Sequence, residues 1–172
     1  APRLDFAARR TADLGLRANS GRYSLTGWLA PAQFLKGKLA RLTTPRLLLN
    51  AQSTLVDRRL DGTLSLRSSA PELESRGVID LATSGFDDVR IGVDLLQPPA
   101  LFRNMTGRSV RLTTLLNGPF RRAAFAYRIT TPRVAFDLTG FEDVRAEGRG
   151  RLSRQPVSVP ILFTARRVTR VR

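Results

Sequence analysis

Apolar and polar residues alternate with a period of two along most of this 172-residue chain. Leu14, Leu16 and Ala18 alternate with Asp13, Gly15 and Arg17. The same rhythm runs through Leu60–Leu66, Val89–Leu95, Val110–Thr114, Phe125–Ile129, Val134–Leu138, Val144–Gly150 and Val157–Phe163. Side chains on a strand point to opposite faces in turn, so each run has one greasy face and one charged face. That is the signature of one-sided antiparallel strands. Turn signals separate the runs: Asn19-Ser20-Gly21, Thr44-Pro45, Ser84-Gly85, Asn117-Gly118-Pro119, Thr131-Pro132, Thr139-Gly140 and Gln155-Pro156. The spacing predicts roughly a dozen strands, linked mostly as hairpins and meanders.

Helical signal is scarce. Pro98–Met105 reads as a short helix, with proline suited to its first turn and Gly107 shortly beyond its end. Ala30–Leu35 reads as a second short turn. Neither is long enough to cover a sheet. A one-sided sheet must hide its apolar face, so it closes into a barrel, stacks as a sandwich or curls into an open trough. The expected fold class is all-β: one long, curled, mostly antiparallel sheet, with residues 1–172 forming a single β-repeat segment. Short self-similarities fit a degenerate repeat array. Phe86-Asp87-Asp88-Val89-Arg90 resembles Phe141-Glu142-Asp143-Val144-Arg145, and Thr43-Thr44-Pro45-Arg46-Leu47 resembles Thr130-Thr131-Pro132-Arg133-Val134. An apolar-x-Gly element recurs at Leu25, Leu35, Leu60 and Met105.

Charge changes the picture on the polar face. Lys plus Arg number 29 against 14 Asp plus Glu, a net charge of +15, and only Lys36 and Lys38 are lysines. Such a surplus favours anionic partners, or simply a solvated basic face. Adjacent pairs such as Arg9-Arg10, Arg58-Arg59, Arg121-Arg122 and Arg166-Arg167 each put one member outward. Nucleic acid would want aromatic residues beside them for base stacking. Aromatics make up only 7%, and Phe125, Tyr127, Phe136 and Phe163 fall on the greasy phase, so no nucleic-acid partner is expected.

Cysteine and histidine are both absent. This removes thiol chemistry, Cys-based metal sites and the usual general base. Asp87-Asp88 and Glu142-Asp143 are the adjacent carboxylate pairs, and they read as turn residues opening strands. Glycines such as Gly37, Gly62 and Gly148 are spread singly, marking bulges or close packing, with no phosphate-binding loop. No catalytic residue, metal or cofactor is expected. The greasy face is the best functional clue: built from Leu, Val, Ala, Ile and Phe, it serves equally a closed core or a groove for acyl chains. The expected lining is Leu64, Leu66, Ile91, Val93, Leu112, Phe125, Tyr127, Phe136 and Val159.

The stretch Leu112 to Val168 resembles the repetitive C-terminal half of bacterial TamB-type proteins, in the wider AsmA-like group. The resembling text is Leu115-Leu116-Asn117-Gly118-Pro119-Phe120, Thr139-Gly140-Phe141-Glu142-Asp143-Val144 and Gly148-Arg149-Gly150-Arg151-Leu152. The resemblance implies a β-rich body crossing the periplasm as a trough with a hydrophobic lining, tethered to the inner membrane by a segment outside these residues. It implies phospholipid acyl chains as cargo, and an outer-membrane barrel of the Omp85 class as partner of the full-length protein. It supplies no catalytic motif. A structural β-repeat spacer without bound lipid and a fragment of an outer-membrane β-barrel are the alternatives.

Overall fold

The computed structural model describes residues 5–11, 20–30, 36–152 and 159–170. Among these residues twelve strands form one sheet, in the order β1-β2-β3-β4-β5-β6-β8-β9-β10-β11, with β12 on β10 and β7 on β9. The strands are β1 (Asp5–Thr11), β2 (Gly21–Leu29), β3 (Leu47–Val56), β4 (Arg59–Arg67), β5 (Pro71–Asp80), β6 (Gly85–Leu95), β7 (Met105–Arg108), β8 (Val110–Pro119), β9 (Ala124–Phe136), β10 (Thr139–Arg151), β11 (Leu162–Thr164) and β12 (Arg167–Arg170). Every pairing is antiparallel. The expected all-β, curled, unclosed sheet is therefore the fold. Its connections are tight. Asp57 and Arg58, with φ of 46° and 64°, make the two-residue turn between β3 and β4, a left-handed turn that matches strand twist.

Alternation of burial is cleanest on β3, where Leu47, Leu49, Ala51, Ser53 and Leu55 are half-buried and the residues between them are exposed. The register keeps this phase across the sheet, so one face is apolar and the other polar. Among the described residues no second sheet or helical layer is stacked on the apolar face. Among the described residues only eight apolar side chains besides Pro98 are buried, far fewer than a two-layer domain of this length would hide. Stacking as a sandwich and closure as a barrel do not occur within this sheet.

The densest packing lies along a crease near one end of the strands. β7 and β8 are collinear partners of β9, broken at Ser109, and β11 and β12 are collinear partners of β10, broken at Ala165 and Arg166. Pro132 on β9 and Asp143 on β10 fall in the same row, unpaired with each other. Ser109 and Asp143 have φ of 55° and 49°. A left-handed residue inside a strand rotates the pleat, so the side-chain phase slips by one. Thr131 and Val134 are consequently both buried, as are Val144 and, on the far side of the break, Met105. Met105, Val134 and Val144 form the core cluster, with Val110, Phe141 and Ala165 packed against it.

The same device explains the repeated Phe-acid-Asp-Val-Arg text. Asp88 has φ 48°, and β6 shifts register there against both β5 and β8. Gly77 lies across from the bulge with φ 147°, and a Cβ on it would sit 2.5 Å from Val89 Cα. Phe86 and Val89 thus share the apolar face despite their odd spacing. Asp87-Asp88 forms a bulge inside β6, and Glu142-Asp143 lies inside β10 at a left-handed residue that leaves the register unshifted; neither pair is a turn opening a strand. The Thr-Thr-Pro-Arg pair is no structural repeat: Thr43 ends a helix, whereas Thr130–Arg133 lies inside β9.

Several expected boundaries move. Thr131-Pro132 and Asn117-Gly118-Pro119 are not turns, because both lie within strands. The expected helix Pro98–Met105 shrinks to α2 (Pro98–Leu101), and Met105 instead opens β7, where it is buried. Gly37 of the Leu35-Lys36-Gly37 element begins α1 (Gly37–Thr43) and is not in a strand. Residues 12–19, 31–35 and 153–158 are outside the described ones, and with them the run Leu14–Ala18, Val157, most of the expected turn at Ala30–Leu35 and the signal Gln155-Pro156. The two helices cover the end of the sheet beside the crease. Arg41 Nε donates to the Ala100 carbonyl at 3.0 Å, Ser68 Oγ donates to the Leu42 carbonyl at 2.6 Å, and Lys38 lies 4.0 Å over the Phe102 ring.

Candidate functional site

Register aligns one uninterrupted apolar row across eight strands. Leu49 lies opposite Leu66, Leu66 opposite Leu73, Leu73 opposite Val93, and Val93 opposite Leu112. Leu112 lies opposite Ile129, Ile129 opposite Ala146, and Ala146 opposite Phe163. Seven inter-strand spacings make this row about 34 Å long. Its members are half-buried from Leu49 to Ile129, buried at Ala146 and exposed at Phe163. Cross-strand neighbours shield one another, but among the described residues no second layer covers them.

Of the expected lining residues, Leu66, Val93 and Leu112 belong to this row. Leu64, Ile91 and Tyr127 occupy the next one, where they alternate with Ala51, Ser75, Thr114 and Gly148. Phe125 lies one row further, opposite Leu116 and Gly150. Two expected residues fall elsewhere. Phe136 sits beyond the crease, exposed, with its ring 6.5 Å from Phe102. Val159 is half-buried just before β11 and outside any strand. Sequence reasoning missed Leu49 and Leu73 as lining: the Leu47-Leu48-Leu49 run hides the alternation of β3, and Leu73 is flanked by Glu72 and Glu74.

Two of the aromatic residues facing this side, Tyr127 and Phe125, lie across from glycines. A Cβ on Gly148 would meet Tyr127 Cε1 at 2.7 Å and the Pro160 carbonyl oxygen closer still, and one on Gly150 would meet Phe125 Cζ at 2.6 Å. The rings therefore spread over the neighbouring strand.

The polar face is laced with ion pairs. Arg111 donates to both carboxylate oxygens of Asp94, at 2.7 and 2.8 Å, which holds the Asp94 carboxyl below its ordinary range and raises Arg111. Glu147 accepts from Arg145 and from Arg128, in that order of effect, and its pKa is lowered too. Asp80 is lowered chiefly by the Thr83 backbone N–H, and its side chain also meets Arg59. Arg133 meets Glu142 at 2.8 Å, and Arg166 meets Asp143 at 2.7 Å.

A groove of about 1130 Å³ crosses these strands. Its lining includes Leu64, Ile91 and Tyr127, with Ser75, Thr114 and Gly148. Most of its walls, however, come from the residues on either side of that row: Asn50, Gln52, Thr63, Ser65, Glu74, Arg76, Arg90, Thr113, Arg128, Glu147 and Arg149. Those side chains belong to the opposite phase, whereas Leu66, Val93, Leu112 and Phe125 take no part. The groove is thus on the polar face, and the middle row contributes its backbone. A twisted sheet is saddle-shaped, so its polar side is concave along one diagonal.

Among the described residues no group of three or more carboxylates could hold a metal ion, and no helix is long and apolar enough to cross a membrane. Comparison with protein-family models, with curated proteins and with solved structures returns no match to this chain.

Proposed function

We propose that this chain is a segment of a lipid-carrying trough, in the style of the TamB-type proteins, whose apolar row holds phospholipid acyl chains while head groups stay in water. In that reading the parent protein is tethered to the inner membrane, spans the periplasm and works with an Omp85-class barrel in outer-membrane biogenesis. The observation that carries the reading is the uncovered row from Leu49 to Phe163. It offers about 34 Å of surface without a polar side chain, longer than an extended acyl tail needs. Such a surface recognises methylenes non-directionally, at about 0.8 kcal/mol each when buried.

A structural spacer without bound lipid is the second reading, and it is favoured by the position of the groove on the polar face. Solvent extraction of the purified protein, followed by mass spectrometry, separates the two. Phospholipid is expected with the wild type and strongly reduced with Val93→Arg, while far-ultraviolet circular dichroism stays unchanged. A lipid-free wild-type protein leaves the spacer.

A further inference from the structure

The geometry points to Arg76 and Arg90 as a two-arginine clamp for a phosphate-class oxyanion, within the groove on the polar face. The two residues are directly opposite each other on β5 and β6. Like charges in that position repel, so the pair is unfavourable unless an anion lies between or above them. Several other strand arginines are neutralised in place: Arg59 by Asp80 and Asp87, Arg67 by Glu72, Arg111 by Asp94, Arg128 and Arg145 by Glu147, and Arg133 by Glu142. Among the described residues the strand arginines Arg22, Arg108, Arg151 and Arg170 have no ion pair either, but none of them lines this groove. Arg76, Arg90 and Arg149 have no ion pair among the described residues, and all three line the same groove.

The groove also supplies neutral partners. Gln52 and Thr63 lie in the same cross-strand row as Arg76 and Arg90. Its two carboxylates are already engaged, Glu147 by Arg128 and Arg145, and Glu74 by Arg67 at 3.7 Å. Four lining arginines against two lining glutamates leave the groove cationic. Guanidinium forks match tetrahedral oxyanions in charge and geometry, and two facing forks select a phosphate group over a single carboxylate. This site lies on the face opposite the apolar row and does not depend on lipid being carried there.

The test is titration of the 172-residue protein with inorganic phosphate, followed by arginine side-chain NMR and calorimetry, beside flotation with two kinds of vesicle. One vesicle is phosphatidylcholine alone and the other contains phosphatidylglycerol. Phosphate is expected to shift the Arg76 and Arg90 resonances. Affinity should fall about tenfold in Arg76→Gln and again in Arg76→Gln/Arg90→Gln, but hold in Arg145→Gln. Arg76→Lys/Arg90→Lys, which keeps the charge and loses the fork, should recover only part of the loss. Flotation with phosphatidylglycerol vesicles that is lost in the double Gln variant would assign the oxyanion to a lipid head group, and a free-phosphate response without flotation would assign it to a soluble phosphate. Absence of any phosphate response, or an equal loss in Arg145→Gln, overturns the clamp.

Discussion

Tyr127 on β9 is paired directly with Gly148 on β10, and its ring fills the place a side chain at Gly148 would take. One step along, Phe125 stands in the same relation to Gly150. Strand glycines normally weaken a sheet, since they lose much entropy and pack nothing. Here an aromatic ring from the neighbouring strand covers each gap, so the apolar face is smooth where four bulky side chains would otherwise crowd.

Gly148→Ala is therefore expected to destabilise the fold by about 1–3 kcal/mol, because the new methyl meets the Pro160 backbone as well as the Tyr127 ring. Gly150→Ala meets only Phe125 and should cost less, since a ring can tilt away. Urea midpoints of the two variants, measured side by side, check the order; equal midpoints would count against it.

The left-handed aspartates make a second prediction. Asp88→Val forces a β-branched residue to φ near 48° and should cost roughly 1–2 kcal/mol. Asp88→Gly accepts that backbone and should be milder. Asn117 accepts the Asp88 backbone N–H at 2.8 Å and donates to the Asp88 carboxylate at 2.7 Å. Asn117→Ala should thus lose about 1 kcal/mol. Thermal melting of the three variants is the measurement.

The crease is where packing matters most. Val134 is only 4% exposed within the Met105–Val144 cluster, so Val134→Ala should cost about 2 kcal/mol, part lost transfer energy and part cavity. Leu48→Ala, at 56% exposure on the polar face, should leave the denaturation midpoint nearly unmoved. A larger effect at Leu48 would show that something covers that face.

The Asp94–Arg111 pair predicts a pH dependence. Asp94 has a folded pKa below its unfolded one, through the Arg111 hydrogen bonds first. Its contribution is fully present above the unfolded value, about 3.9, and is lost as pH falls through the lower folded value. Arg111→Gln should be less stable than wild type at pH 7, with the gap closing below about pH 4. Denaturant midpoints across that range check the sign, and a gap that widens in acid would refute it.

Alternation alone determined that this chain is a one-sided antiparallel sheet, because strand side chains must alternate between faces and Leu64, Ile91 or Val93 could not do otherwise. It also placed Leu66, Val93 and Leu112 on one face, though not in one row. Register decided the row, since pairing joins residues far apart in sequence: Leu49 and Leu73 enter it only through their cross-strand partners. The tertiary structure also decided where the pattern slips. Asn117-Gly118-Pro119 and Thr131-Pro132 carry turn residues, yet both sit inside strands, because Asp88 takes up the irregularity as a left-handed bulge and Asp143 as a left-handed break without a register shift, which leaves the flanking ladders intact. The choice between a sealed core and an open face belonged to the fold as well, for the same leucines satisfy both. What decides it is the absence of a second layer over the described strands, and that depends on the whole sheet.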